Sequence, residues 1–296
     1  MPYFQRQTSW GWIVAAYIFS AGVGGGLFLS SFILDLLGRH ESVASIGAAL
    51  GPVLVLIGTL FLLADLGSVS RAYRLFTTPS TIMASWMVKG AWILTAFIIT
   101  GLAYSLPSFE LFRWIPWTKA SGLGQVIGII AALLSIVVVV YPGFLLGVAK
   151  GIPIWNTSIL PFLFLVSGLD TGIATVVVIA LLSVRGLGAD SLHQLGVADI
   201  ALILTQIIVL GAFIEIVRHA GVAATSSIRL LKTWLFIGGA IVVGLVLPLI
   251  ILLFSLLLTD AGAIRGLAWV ASLFLLAGGL SLRYSIIKAG AFRPVR

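Results

Sequence analysis

Nine acidic side chains are spread over 296 residues, and five of them fall inside or at the ends of long apolar runs. Asp170 lies near the middle of one such run. A charge at the centre of a bilayer costs about 2.5–3.5 kcal/mol on insertion scales, so an acid there is expected to hold or pass a proton. Asp35 and Asp199 lie toward one end of their runs, Asp65 and Glu215 toward the other. If they face inward, these acids mark three depths, as a proton path requires. The competing reading is that Asp35, Asp65 and Asp199 snorkel to the surface or cap helices. Asp170 is too deep for either.

A second constellation is "YPGFLLGVAKGIPIWNTSILP", Tyr141 to Pro161, between two apolar runs. Pro142 removes a helical hydrogen-bond donor, and a kink is expected there. Gly143, Gly147 and Gly151 form one smooth face. Lys150, Trp155 and Asn156 then reach the level where a long cation and an indole are at home in a membrane. A phenol, an ammonium and an amide near one membrane surface could hydrogen-bond the carbonyls of an amphipathic ligand.

Other chemistries are poorly supplied. With no cysteine, the protein cannot ligate an iron–sulfur cluster, form a disulfide or use a thiol nucleophile. The three histidines, His40, His193 and His219, lie in or beside connections, so paired ligands for a b-type haem on facing helices are not expected. There is no G-x-S-x-G elbow and no metal-ligand spacing. The protein is expected to have no redox group of its own.

The elements that must position these groups follow from composition. Hydrophobic residues make up 60% and charged residues 9%, against about 25% charged in soluble domains. Apolar stretches near the roughly 20 residues that span hydrocarbon recur along the sequence. They fall at Trp12–Leu37, Ala44–Leu66, Trp86–Tyr104, Leu123–Val148, Ile159–Ser183, Val197–Val217, Trp234–Leu258 and Ile264–Ile287. The expected fold is an all-α integral membrane protein, a single transmembrane domain over 1–296. Uniformly apolar segments argue against a barrel, whose strands alternate. The first span is too long and Gly-rich for a removable signal peptide.

"AGVGGGL" (Ala21–Leu27) and "SGLDTGI" (Ser167–Ile173) echo each other in the first and fifth spans. They suggest two parallel four-helix halves, 1–150 and 151–296, although small-xxx-small pairs are also ordinary packing devices. The net charge of +8 reads as topology rather than nucleic-acid binding. With an even number of spans, the side holding the termini carries eleven cations: Arg6, Arg71, Arg74, Lys150, Arg218, Arg229, Lys232, Arg283, Lys288, Arg293 and Arg296. The far side carries five, Arg39, Arg113, Lys119, Arg185 and Arg265, with Lys89 just inside a helix left uncounted. The positive-inside rule then puts both termini in the cytoplasm. The connection 67–85, with two arginines and aromatics, suits an interfacial or docking segment.

"SWGWIVAAYIFSAGVGGG", "ADLGSVSRAYRLF", "SWMVKGAWIL" and "YPGFLLGVAKGIPIWN…LPFLFLVSGL", in that order, resemble the NrfD/PsrC family of membrane subunits of polysulfide reductase-like molybdoenzyme complexes. The resemblance implies an eight-helix subunit of a prokaryotic inner membrane that binds a quinone and docks an iron–sulfur subunit. A molybdenum catalytic subunit commonly completes such a complex. It further implies a quinone pocket at the surface where the first helix begins, with Tyr141 matching the family's tyrosine at the Tyr-Pro-Gly step. Tyr17 and Val14 stand where family members use a histidine and an asparagine. That is a departure, for which Lys89 and Lys150 could supply polarity. Asp65, Arg71, Trp155 and Asn156 belong on the same surface. In polysulfide reductase-type members the soluble subunits lie outside the cytoplasm, which strains against the charge count.

The leading expectation is therefore a quinone-binding membrane anchor of a respiratory oxidoreductase, silent alone, with proton transfer through Asp35, Asp170, Asp199 and Glu215. The rivals are a secondary transporter or ion channel using Asp170, and a structural anchor whose pocket has decayed.

Overall fold

Lipid offers no hydrogen-bond partners, so an apolar segment must satisfy its backbone internally, and helices result. The computed structural model describes residues 5–8, 10–65, 85–183 and 187–292. Among the described residues, eight helices are long and apolar enough to cross a membrane. They are α1 (Trp12–Leu36), α2 (Glu41–Asp65), α3 (Trp86–Ser105), α4 (Gly122–Gly147), α5 (Leu160–Leu182), α6 (Ala189–His219), α8 (Leu235–Ser255) and α9 (Ala261–Lys288). α8 runs as a π-helix from Leu235 to Val246 before its α-helical end. Each apolar stretch read from the sequence holds one of these helices, and the all-α membrane fold stands.

Two details differ from the sequence reading. α6 begins eight residues before Val197, because Asp190, Ser191, His193 and Gln194 fill its opening turns with polar side chains. A short helix α7 (Val222–Leu231) follows it. There Ala224, Ser227, Ile228 and Leu231 are buried at helical spacing while Arg229 is exposed, the pattern of an amphipathic surface helix. The segment 66–84, which includes Arg71 and most of the arginine-aromatic connection, lies outside the described residues.

Glycine sets how the helices meet. A Cβ on Gly26 would overlap the carbonyl of Gly168, and one on Gly172 would overlap Gly26. The two echoing motifs thus pack directly on each other where α1 crosses α5. Gly24 and Gly51 do the same for α1 and α2, each Cβ position lying 2.5 and 2.7 Å from the other's carbonyl oxygen. Without a hydrophobic drive between helices in lipid, such close backbone approach is the main source of association. α1 and α5 form the centre. α1 packs on α2, α4 and α9, and α5 packs on α6, α9 and α4.

The two ends of the protein are clasped. A two-residue strand, Gln5–Arg6, pairs antiparallel with Ala291–Phe292. Gln7 donates to the carbonyls of Trp10 and Ile287 at 2.9 and 3.0 Å. Both described ends therefore lie on one side of the bundle, the terminus side.

Candidate functional site

The terminus-side site is built where α3 begins and α4 ends. Trp86, Lys89 and Gly90 open α3, and positions three and four apart share a face. Gly90 has no side chain because the Tyr141 ring of α4 occupies that space; a Cβ there would sit 2.5 Å from Tyr141 Cε1. The Tyr141 hydroxyl donates to the Trp86 carbonyl at 3.0 Å. One turn on, Phe144 stacks on the Trp86 indole, ring centres 5.8 Å apart. Lys89 Nζ lies 5.1 Å from the centre of the Trp86 ring, a cation–π distance.

This aromatic pair is the wall between two cavities. Above it, a cleft of about 400 Å³ is lined by Trp86, Phe144, Lys150, Asn156, Thr157 and Ser158, among others. Below it, a groove of about 250 Å³ is lined by Trp86, Ile93, Ile136, Val137, Val140, Tyr141 and Phe144. Thr157 Oγ1 is buried without a hydrogen-bond partner. A cleft edged by Lys150, Asn156, Thr157 and Ser158 beside an apolar groove matches an amphipathic molecule with a hydrogen-bonding head and a greasy tail. α4 continues as helix through Pro142 to Gly147. Of the three glycines at its end only Gly143 is tightly packed, 2.5 Å from the Pro161 Cα by its Cβ position, while nothing lies near Gly151.

A second polar region lies inside the bundle. Arg283 of α9 is completely buried. Its guanidinium sits between the Phe19 and Phe164 rings, 5.7 and 5.9 Å from their centres. Nη1 donates to Ser167 Oγ at 3.2 Å and to the Gly279 carbonyl at 2.9 Å, while Nε and Nη2 have no protein partner. Gly22 of α1 leaves room for it. Asp170 of α5 and Asp199 of α6 are buried in the same bundle interior. Asp170 Oδ1, Asp199 Oδ1, Gln206 Oε1, Ser285 Oγ and Tyr17 Oη are all buried without a partner. Orphaned buried polar atoms are costly, and so many in the bundle interior, the seam around Arg283 included, fit ordered water.

The remaining predicted acids are elsewhere. Asp35 accepts from the Tyr104 hydroxyl and pairs with Lys119 at 3.5 Å, at the far end of α1. Lys119 also donates to Ser45 Oγ at 2.9 Å. Burial lowers its ammonium pKa below the usual lysine range, and the Asp35 carboxylate works against that shift. Phe28, Phe32, Phe97 and Tyr104 form a closed aromatic cluster beside this group, and no hydrogen bond among the described residues links it to Asp170. Glu215 is exposed on the terminus side, paired with Arg218 at 3.6 Å and His219 at 3.4 Å. Asp65 closes α2, and its side chain lies outside the described residues.

A model of the family described as polysulphide reductase, NrfD, matches residues 2–294. The protein belongs to this family. The C subunit of polysulfide reductase from Wolinella succinogenes is 30% identical, covering 95% of this sequence and 94% of the relative. The Haemophilus influenzae protein NrfD homolog is 26% identical, over 98% and 97%. Protein NrfD of Escherichia coli is 26% identical over 57% of this sequence and 58% of its own. With its eight apolar helices, this NrfD family member is a multi-pass membrane protein.

Of the surface residues that the family resemblance suggested, the structure gathers Lys89, Tyr141, Lys150 and Asn156 around the Trp86–Phe144 wall. Tyr17 is fully buried in α1 and near enough to Tyr141 for the two phenols to interact. One other it places apart. Trp155 turns inward rather than toward lipid: it stacks on Trp10 at 5.1 Å and donates to the Ile286 carbonyl at 2.9 Å. Its role is to clasp the termini. Sequence reasoning passed over Trp86 and misplaced Arg283, which it counted as a surface cation. With Arg283 inside, the sequence count for the terminus side falls from eleven to ten. The signal for Trp86 was present: a Trp four residues before a Gly, opposite Tyr-Pro-Gly.

Proposed function

We propose that this protein is the quinone-reactive membrane subunit of a multisubunit oxidoreductase in a prokaryotic cytoplasmic membrane. The observation that carries this reading is the polar cleft and apolar groove joined across Trp86 and Phe144 at one membrane surface. A quinone fits it: a head with carbonyls would meet Asn156, Lys150 and the orphaned Thr157 hydroxyl, and a prenyl tail would follow Ile93, Ile136 and Val140. The bound quinone would supply two-electron, two-proton redox chemistry that the protein's own side chains lack. The residues' own work is narrower. Trp86 and Phe144 give the head a flat wall, Lys150 and Asn156 orient its oxygens, and Lys89 holds positive charge beside it.

The electron partner would be an iron–sulfur subunit docked on the terminus side, with a molybdenum catalytic subunit beyond it. Ten cations on that side favour cytoplasmic termini by the positive-inside rule. Protons would be led through the buried seam. Asp170 can hold one at mid-depth, and Arg283 would compensate the carboxylate left when that proton moves on. Glu215 is paired on the surface and suits proton collection better than transfer.

The test is purification under mild detergent, with identification of whatever accompanies the protein, followed by titration with a quinone analogue. Co-purification of iron–sulfur and molybdenum subunits, with analogue binding weakened by Asn156→Ala, is the expected result. A protein that isolates alone and ignores the analogue, yet moves protons across vesicles, would transfer the assignment to a transporter built on the buried seam.

A further inference from the structure

On the far side of the membrane, a slot of about 270 Å³ opens between the end of α1 and the start of α6. Ile33, Leu34, Leu37, Ile173 and Leu195 make it apolar, and Arg39 and His40 stand on its rim. Its floor is set by Ile173 and Ala198. Ile173 lies nine residues before the end of α5 at Leu182, so at about 1.5 Å per residue the slot reaches about 13 Å below the surface. That depth is close to one leaflet's share, about 15 Å, of a hydrocarbon core about 30 Å thick.

The rim is held in a fixed shape. His40 adopts φ 53° and Gly38 φ 62°, and the left-handed region is uncommon for a residue with a side chain. The turn brings His40 Nε2 to 2.7 Å from Ser191 Oγ and lets Arg39 donate to Gln194 Oε1. Arg39, exposed at the mouth, adds a permanent cation with further guanidinium N–H groups to offer. Of the neighbouring acids, Glu41 lines the separate cavity around Lys119, and Asp190 is absent from the slot's lining.

We propose that this slot binds one acyl tail of an anionic phospholipid from the far leaflet, with the phosphate held by Arg39 beside His40. A cationic rim over an apolar channel one leaflet deep is complementary to that molecule. A zwitterionic lipid would bring a choline cation as well as its phosphate beside the guanidinium, and a free phosphate would leave the channel empty. Bound there, the lipid would tie the α1–α2 turn to α6. The site is independent of the quinone reading, since no residue is shared with the terminus-side cleft.

The full-length protein, with any partner it retains, would be stripped of lipid in detergent. Native mass spectrometry would then follow titration with phosphatidylglycerol, with phosphatidylcholine of the same acyl composition, and with inorganic phosphate. One phosphatidylglycerol should be retained about tenfold better than phosphatidylcholine. The double variant Arg39→Gln/His40→Asn should erase that preference; asparagine tolerates the left-handed backbone. Ala198→Phe, at the floor of the slot, should cut retention of both lipids while leaving the rim intact. Equal retention of the two lipids by the wild type, displacement of phosphatidylglycerol by phosphate at equal concentration, or full retention by Ala198→Phe would each overturn the proposal.

Discussion

The cleft at the start of α3 and the seam around Arg283 are both polar regions inside a greasy protein, yet they are built by opposite rules. In the cleft the fixed groups are satisfied except for the Thr157 hydroxyl. Tyr141 gives its hydrogen bond to a backbone carbonyl, Lys89 rests over an indole, and open volume remains beside them. In the seam the groups are sealed in and many are left without partners. A surface that keeps its own hydrogen bonds and leaves room is suited to receive a ligand. A buried run of unpartnered acids, hydroxyls and a guanidinium is suited to hold water and pass protons. The α1–α5 glycine crossing underlies both: α5 carries Ser167 and Asp170 of the seam, and both helices pack on α4, which carries Tyr141 and Phe144.

The largest effect should therefore come from that crossing. Gly172→Leu forces a side chain into the α1 backbone at Gly26, where neither helix can yield without separating. Overpacking a tight contact typically costs about 1–3 kcal/mol, and a backbone overlap costs more. Little or no folded protein should survive detergent extraction, as judged by size-exclusion chromatography. A well-behaved variant would mean that the two regions do not depend on a common frame.

Asp170→Asn should separate the regions functionally. It preserves shape and removes the protonatable group, so proton movement coupled to turnover should fall about tenfold or more, while quinone-analogue affinity stays within about twofold. A matching loss of affinity would dissolve the distinction, because the seam would then belong to the binding site. Asn156→Ala should do the reverse, weakening analogue binding about tenfold. Loss of a hydrogen bond is worth about 0.5–1.5 kcal/mol, and tenfold is about 1.4 kcal/mol.

Trp155→Phe touches neither region, although it lies next to Asn156. It keeps a ring to stack on Trp10 and deletes the N–H donated to Ile286. About 1 kcal/mol of stability should be lost, seen as a fall of about 2–4 °C in the thermal midpoint, with analogue affinity unchanged. A selective loss of affinity would put the indole back into the site.

What could be read from the sequence follows from the range of each force. Hydrophobicity is local, so the eight spans were legible, and the depth of Asp170 in its run foretold its burial. α6 was shortened in the reading because the polar residues of its first turns look like a connection when only hydropathy is considered. Arg283 and Trp155 were misread for one reason. Near a helix end, a cation or an indole is usually a membrane-surface residue. Here both are turned inward by partners far away in sequence: Phe19 and Phe164 for Arg283, Trp10 and Ile286 for Trp155. Nothing local announces such partners. Lys89, Tyr141, Lys150 and Asn156 were found because the spacing within each helix end already put them at one height, although not the Trp86 wall that joins them.

The smallest effect is at Lys119, where a buried charge is neither sealed like the seam nor open like the cleft. Burial lowers its pKa in the folded protein below 10.5, so the folded state binds its proton less readily than the unfolded one. The stability tied to this group is then fully present above 10.5 and is lost as pH falls through the lower, folded value. Relative to Lys119→Met, the wild type should gain unfolding free energy as pH rises toward 10.5, measured by chemical denaturation in a fixed detergent. A difference that stays flat across that interval would mean that Asp35 fully offsets the cost of burial, making the far-side cluster a settled ion pair unlike either of the two regions.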